Sequence, residues 1–96
     1  KSELFTLVQT HNKQLQAFGV KKLSLFGSFI RGEQIATSDV DVLVEFNTGQ
    51  KTFDNFMHLA FYLEELFGRH VDLLTPESLS PHIGPKILSE VEYVTP

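Results

Sequence analysis

The sequence contains no cysteine, and this absence excludes disulfides, thiolate catalysis and cysteine zinc sites. No apolar run approaches the roughly 20 residues that cross a bilayer, and the first residues carry no secretory signal. The formal net charge is -4, so a broad basic surface for nucleic acid is not expected. We therefore expect a cytoplasmic protein that binds neither membranes nor nucleic acid.

The length and composition are those of one small globular domain. The chain has 96 residues, of which 42% are hydrophobic and 21% charged. A chain of this size buries only about 60–65% of the surface that its unfolded form exposes. We therefore expect a single domain over residues 1–96, with apolar surface left for a partner.

Hydrophobic periodicity and turn residues divide the chain into helices and strands. The predicted elements are a helix over Glu3–Phe18, a strand over Lys22–Phe26, a short helix over Ser28–Glu33, a strand over Asp39–Phe46, a helix over Phe53–Phe67, a strand over Val71–Leu74, an irregular link at Pro81 and Pro85, and a final helix or turn over Ile87–Val94. Because helices alternate with strands, we expect one layered α/β sheet. The aromatic residues at helical spacing are expected in the core; they are Phe53, Phe56, Phe61 and Phe67.

Asp39 and Asp41 stand at the start of a predicted strand. Because strand side chains alternate, both carboxylates project to one side, and Val40 and Val42 project to the other. Two such charges repel by about 1–4 kcal/mol at 4 Å, a cost that water or a cation would relieve. Oxygen ligands suit Mg²⁺, with Mn²⁺ as an alternative. The tripeptide alone fits either a metal site or two solvated acids.

Gly27 and Ser28 lie where the preceding strand turns into a short helix. Glycine lets the backbone approach a phosphate closely, and the N–H groups at a helix start attract anions. Arg31, one turn further on, adds positive charge. The same residues also fit an ordinary strand-to-helix turn with a serine N-cap. Next to two carboxylates, however, they form what an NTP–Mg²⁺ complex requires.

Gly27-Ser28, then ten residues, then Asp39-Val-Asp41 resembles the signature of the DNA polymerase β-like nucleotidyltransferase superfamily. The fuller segments are similar to its smallest branch, the minimal nucleotidyltransferases that serve as antitoxins to HEPN-domain toxins ("higher eukaryotes and prokaryotes nucleotide-binding"). The similarity continues through the segment 63–77 and the ending 87–94, so it covers nearly the whole chain.

The resemblance implies a small mixed sheet flanked by helices, with a third carboxylate beside Asp39 and Asp41. Asp72 matches that position, and it interrupts an otherwise apolar strand. The family mechanism implies two Mg²⁺ ions held by these three aspartates, with the phosphates of ATP held by Gly27, Ser28 and Arg31. It further implies that AMP is transferred to a tyrosine of a HEPN-domain toxin.

Two other functions remain open at this point. One is an antitoxin that neutralises its toxin by binding alone, and the other is transfer to a small molecule such as an aminoglycoside. The intact site residues argue against the first, and the lack of a second domain argues against the second. His70 shares a face with Asp72 by alternation, and contact with substrate, a structural role or plain solvation are all consistent with it. A homo- or hetero-oligomer is compatible with the sequence.

Overall fold

The computed structural model describes residues 2–35 and 38–95, so the predicted domain is covered except at residues 1, 36, 37 and 96. The helices are α1 (Ser2–Thr10), α2 (Asn12–Ala17), α3 (Ser28–Arg31), α4 (Phe53–Phe67) and α5 (Gly84–Glu90), with a 3₁₀ turn at Pro76–Ser78. The strands are β1 (Val20–Phe26), β2 (Val40–Phe46), β3 (Val71–Leu74) and β4 (Glu92–Thr95). None of the helices in these ranges has the length and apolar character needed to cross a membrane.

The described strands form one mixed sheet in the order β3-β2-β1-β4. β1 pairs antiparallel with β2 and with β4, whereas β2 and β3 run parallel. A parallel pair needs a long crossover connection, and α4 supplies it. The predicted α/β class with a small mixed sheet is confirmed.

The core lies between one face of the sheet and the helices α1, α2 and α4. Val40, Val42 and Val44 of β2 are fully buried there. They pack in one cluster with Val8 of α1 and Leu59 of α4, among others. The predicted alternation of β2 is therefore correct, and it directs Asp41 away from this cluster.

Helix α4 has its predicted bounds, and its caps explain them. The hydroxyl of Thr52 accepts a hydrogen bond from the backbone N–H of Asn55 at 3.1 Å. Gly68 ends the helix in the left-handed conformation, with φ of 66°. The prediction that all its phenylalanines enter the core is wrong for Phe53 and Phe61, whose exposed fractions are 78% and 60%.

The N-terminal helix is shorter than predicted. The segment Glu3–Phe18 is divided at His11, between α1 and α2. Nδ1 of His11 lies 2.8 Å from the carbonyl oxygen of Leu7, which also accepts the backbone N–H of His11 at 3.1 Å. No glycine or proline marks this break in the sequence.

The C-terminal prediction was also wrong. The segment Ile87–Val94 is neither one helix nor one turn, because α5 already begins at Gly84 and ends at Glu90, and β4 follows it. Pro85 belongs to the first turn of α5, where its missing N–H costs nothing. Strand β4 exists because the edge of β1 is available, with Ser24 opposite Tyr93 and Leu25 opposite Glu92. A partner so distant in sequence leaves no local pattern.

Candidate active site

The aspartates of the motif lie at the entrance of β2. Strand β2 begins at Val40, so Asp39 is the last residue before it rather than its first residue as predicted. The N–H of Val40 donates to the carbonyl of His70 at 2.9 Å, which joins the beginnings of β2 and β3. Asp39 and Asp41 therefore stand on the same face, opposite to buried Val40.

The parallel pairing brings the third aspartate to the first two. Asp41 of β2 is the register partner of Asp72 of β3. The exposed fractions of the Asp39 and Asp72 side chains are 48% and 50%, whereas Asp41 is half-buried. The structure thus brings Asp72, which is distant in sequence, to Asp39 and Asp41 at one edge of the molecule.

This concentration of negative charge acts on Asp41. Partial burial raises the pKa of its carboxyl, and the neighbouring carboxylates of Asp72 and Asp39 raise it further. The guanidinium of Arg31 lowers the pKa of Asp41, but its effect is the smaller one. The site therefore holds more negative charge than its own cations balance.

Gly27 is fitted closely against Asp41. It follows β1 with φ of 77° and ψ of -149°, a conformation that favours glycine. A Cβ at this position would overlap Oδ2 of Asp41 and lie 3.0 Å from its Cγ. Both the positive φ at this position and the adjacent carboxylate of Asp41 therefore require glycine. Ser28 begins α3 directly after it.

Arg31 and Gly27 share a partner that the sequence did not suggest. Nη1 of Arg31 donates to Oε1 of Glu90 at 3.1 Å, and the backbone N–H of Gly27 donates to the same oxygen at 3.2 Å. Nε of Arg31 also donates to Oε1 of Glu33 at 2.7 Å, which is the main reason that the pKa of Arg31 is raised. Two groups predicted to hold phosphate therefore already hold a carboxylate from α5.

His70 lies among the acids. Its Nδ1 is 3.4 Å from Oδ2 of Asp39 and 3.8 Å from Oδ1 of Asp72. Its Nε2 is 3.7 Å from Oε2 of Glu64, an oxygen that also accepts the N–H of Val71 at 3.1 Å. One ligand atom from each of Asp39, His70 and Asp72 lies within 4.8 Å of the others. The imidazole is therefore close enough to join whatever the two carboxylates bind.

The donor set suits a divalent cation. Three carboxylates on one face offer the hard oxygen ligands that Mg²⁺ and Mn²⁺ prefer. The raised pKa of Asp41 has its physical cause in burial and in neighbouring charges of like sign, and a cation would relieve the repulsion between those charges. A Cβ on residue 27 would overlap the carboxylate of Asp41, so Asp41 can hold this position only because residue 27 is glycine. The residues present thus fit a metal-assisted site.

Two cavities differ in their relation to this site. A cavity of about 290 Å³ adjoins it and is lined by Gly27, Arg31, Asp41, Lys86, Glu90 and three apolar side chains. A larger cavity of about 430 Å³ lies between α1, α3 and α4, beside Phe29 and Arg69. Its lining includes none of the three aspartates and none of the predicted phosphate ligands, so we place the candidate active site beside the smaller cavity, which Asp41 lines.

Sequence reasoning missed three residues around the site. Neither Glu90 nor Glu64 was singled out. Arg69 was also missed: its Nη1 donates to the carbonyl of Ser38 at 3.2 Å, directly before Asp39. Its guanidinium lies over the ring of Phe29, 5.1 Å from the centroid. For Glu90 and Arg69 no local signal exists, because each acts on a segment distant in sequence.

Known proteins resemble this chain over most of its length. The nucleotidyltransferase domain family matches residues 8–94. The protein adenylyltransferase MntA of Thermococcus cleftensis is 41% identical over 93 residues, which cover 96% of this chain and 93% of that protein. The predicted kinship with nucleotidyltransferases is therefore confirmed.

Solved structures share the fold. One, described as a candidate minimal nucleotidyltransferase, is 28% identical with a TM-score of 0.73 and covers 92% of this chain and 93% of that one. Another matching structure is the complex of a tri-AMPylated HEPN toxin of Shewanella oneidensis with an MNT antitoxin. The TM-score is 0.64 at 18% identity, and the match covers 94% of this chain and 71% of that one. With the family match and the assembled acids, these findings identify the chain as a member of the nucleotidyltransferase domain family and as a nucleotidyltransferase.

Proposed function

We propose that this protein is an antitoxin that transfers AMP from ATP to a tyrosine hydroxyl of a cognate HEPN-domain toxin. The observation that carries the proposal is the register of β2 and β3, which sets Asp41 opposite Asp72 with Gly27 packed against Asp41. Enzymes that transfer nucleotides need carboxylates for metal ions next to donors for phosphate. Both are present within one edge of this small domain.

Asp39, Asp41 and Asp72 are the residues that we propose to hold two Mg²⁺ ions. Bound there, the ions would neutralise the triphosphate and favour the deprotonated form of the attacking hydroxyl. Asp41 is the half-buried member of the set, and Asp39 and Asp72 are exposed. We assign Asp72 to the acceptor side, since the Gly27 turn lies on the side of β1.

Gly27, Ser28 and Arg31 are the residues that we propose to hold the phosphates of ATP. The first N–H groups of a helix have no acceptor inside it and can donate to an anion, and the guanidinium of Arg31 can donate two parallel hydrogen bonds. In the transfer, the tyrosine oxygen forms a bond to the α-phosphorus and the bond to pyrophosphate breaks. The chain contributes by orienting the reactants and by balancing charge.

The relatives support a protein acceptor. The relative from Thermococcus cleftensis is named a protein adenylyltransferase, and the Shewanella complex contains an AMPylated HEPN toxin. Tyrosine as the target and the cytoplasm as the compartment, where ATP is abundant, are parts of this proposal. The exposed Phe53 and Phe61 add apolar surface on α4 that is compatible with a protein partner.

The test is transfer of label from ATP to the toxin. Purified protein, cognate toxin and Mg²⁺ are incubated with ATP labelled either at the α- or at the γ-phosphate. We expect the toxin to become labelled from α-labelled ATP alone, and we expect one copy of this protein to modify many copies of toxin. Full neutralisation only at equal concentrations, with no label on the toxin, would refute AMP transfer and favour neutralisation by binding.

A further inference from the structure

Glu90 occupies the place where the proposed function requires a phosphate. It is the last residue of α5, and its side chain is 23% exposed. Its Oε1 accepts hydrogen bonds from the N–H of Gly27 at 3.2 Å and from Nη1 of Arg31 at 3.1 Å. A carboxylate oxygen held by a backbone N–H and a guanidinium has the same donors that a phosphate oxygen would have.

The two anions cannot use these donors at once. The single N–H of Gly27 points to one acceptor, and a carboxylate and a phosphate at the same position would also repel each other. Glu33 does not raise the same conflict, because it accepts from Nε of Arg31 and not from Gly27. The competition is therefore specific to Glu90.

When phosphate displaces the Glu90 carboxylate from Gly27 and Arg31, a lysine on the same helix can pair with it. Lys86 lies one helical turn before Glu90 on α5, a spacing at which side chains of opposite charge interact. Both residues line the cavity of about 290 Å³ that adjoins Asp41. Within residues 2–35 and 38–95, Lys86 forms no ion pair. Its ammonium group is thus available to Glu90.

We propose that Glu90 is an internal competitor of the nucleotide, which lowers affinity for ATP because phosphate must displace its carboxylate from Gly27 and Arg31. The inference rests on the proposed function, since it assumes that these donors bind phosphate. When nucleotide binds, α5 therefore loses the hydrogen bond between Glu90 and Gly27. Glu90 acts on affinity through these donors and takes no part in the transfer itself.

Calorimetric titration with ATP–Mg²⁺ and with tripolyphosphate tests the inference. The variants are Glu90→Gln, which removes the charge, and Glu90→Asp, which keeps the charge but shortens the side chain. Glu65→Gln, on the exposed side of α4, is the control for a change in net charge. Thermal unfolding of each variant shows whether it is folded. We expect both Glu90 variants to bind both ligands roughly three- to tenfold more tightly than wild type, and Glu65→Gln to bind as wild type.

The outcomes separate the two proposals. Unchanged or weaker binding in folded Glu90→Gln and Glu90→Asp, with wild type still binding ATP–Mg²⁺, would overturn the competitor role and leave the proposed function intact. Tighter binding in Glu90→Gln alone would also overturn it, because general repulsion would then suffice. If wild type and both variants bind neither ligand, Gly27 and Arg31 are no phosphate site and both proposals fail.

Discussion

Replacing Gly27 with alanine tests whether the turn after β1 and the carboxylate of Asp41 are fitted to each other. With φ of 77° and ψ of -149°, Gly27 is in a region essentially reserved for glycine, where a side chain costs roughly 1–3 kcal/mol. The added Cβ would also overlap Oδ2 of Asp41, so that side chain must turn away or β2 must shift. A displacement of about 1 Å in an active site can lower the rate about 100-fold. We therefore expect lower stability together with nearly complete loss of AMP transfer.

Gly49→Ala is the matched control for this substitution. Gly49 has φ of 79°, and a Cβ there would meet nothing within 4 Å. Its variant also carries a side chain at positive φ but without the collision, so its melting temperature should fall by about 4–16 °C while its transfer rate stays near that of wild type. In an Asp41→Ala background, Gly27→Ala should destabilise less than it does in wild type, because the overlapping carboxylate is gone.

Thermal unfolding and the rate of pyrophosphate release in the presence of toxin measure both effects. The reasoning is refuted if Gly27→Ala transfers AMP at the rate of wild type. It is also refuted if Gly49→Ala loses as much activity as Gly27→Ala, since backbone strain anywhere in the chain would then explain the loss.

Three further predictions concern the acids. Asp41→Asn should raise the melting temperature by about 4–8 °C at neutral pH without divalent metal, because it removes about 1 kcal/mol of repulsion of the kind expected between carboxylates 4 Å apart in water; a lower melting temperature would count against it. Because the pKa of Asp41 is raised, ionised Asp41 destabilises the fold above that pKa, so the difference in melting temperature between the two proteins should shrink as pH falls through it; an unchanging difference in thermal scans at several pH values would contradict this. Asp72→Asn should slow turnover sharply while calorimetry still detects binding of ATP–Mg²⁺, and a loss of binding as complete as in Asp41→Asn would contradict the separate roles.

Local patterns were sufficient for the elements that carry strong periodicity. The alternation of β2 and the caps of α4 lie within the elements themselves, so the predictions for these segments hold closely. The break at His11 was missed although it is local, because no glycine or proline marks it. Periodicity also overestimated the core on α4, because Phe53 and Phe61 share the helical spacing of Phe56 but not its burial.

Contacts between distant segments were beyond the reach of local pattern. The pairing of Asp41 with Asp72 was expected only from the family resemblance, because parallel strands meet through a crossover that sequence spacing does not encode. Strand β4 depends on the free edge of β1, and Glu90 reaches the Gly27 turn across the chain. Such features follow from the assembled fold rather than from any single segment.

The most direct test of the central claim is the intact mass of the cognate HEPN-domain toxin after incubation with this protein, ATP and Mg²⁺. Wild type should leave the toxin heavier by whole AMP units, with fragment masses that assign them to tyrosine. The Asp39→Asn/Asp41→Asn double variant should leave the mass unchanged, even though the variant is folded. A toxin that is neutralised by wild type without any gain in mass would contradict the account, as would an equal gain in mass with the double variant.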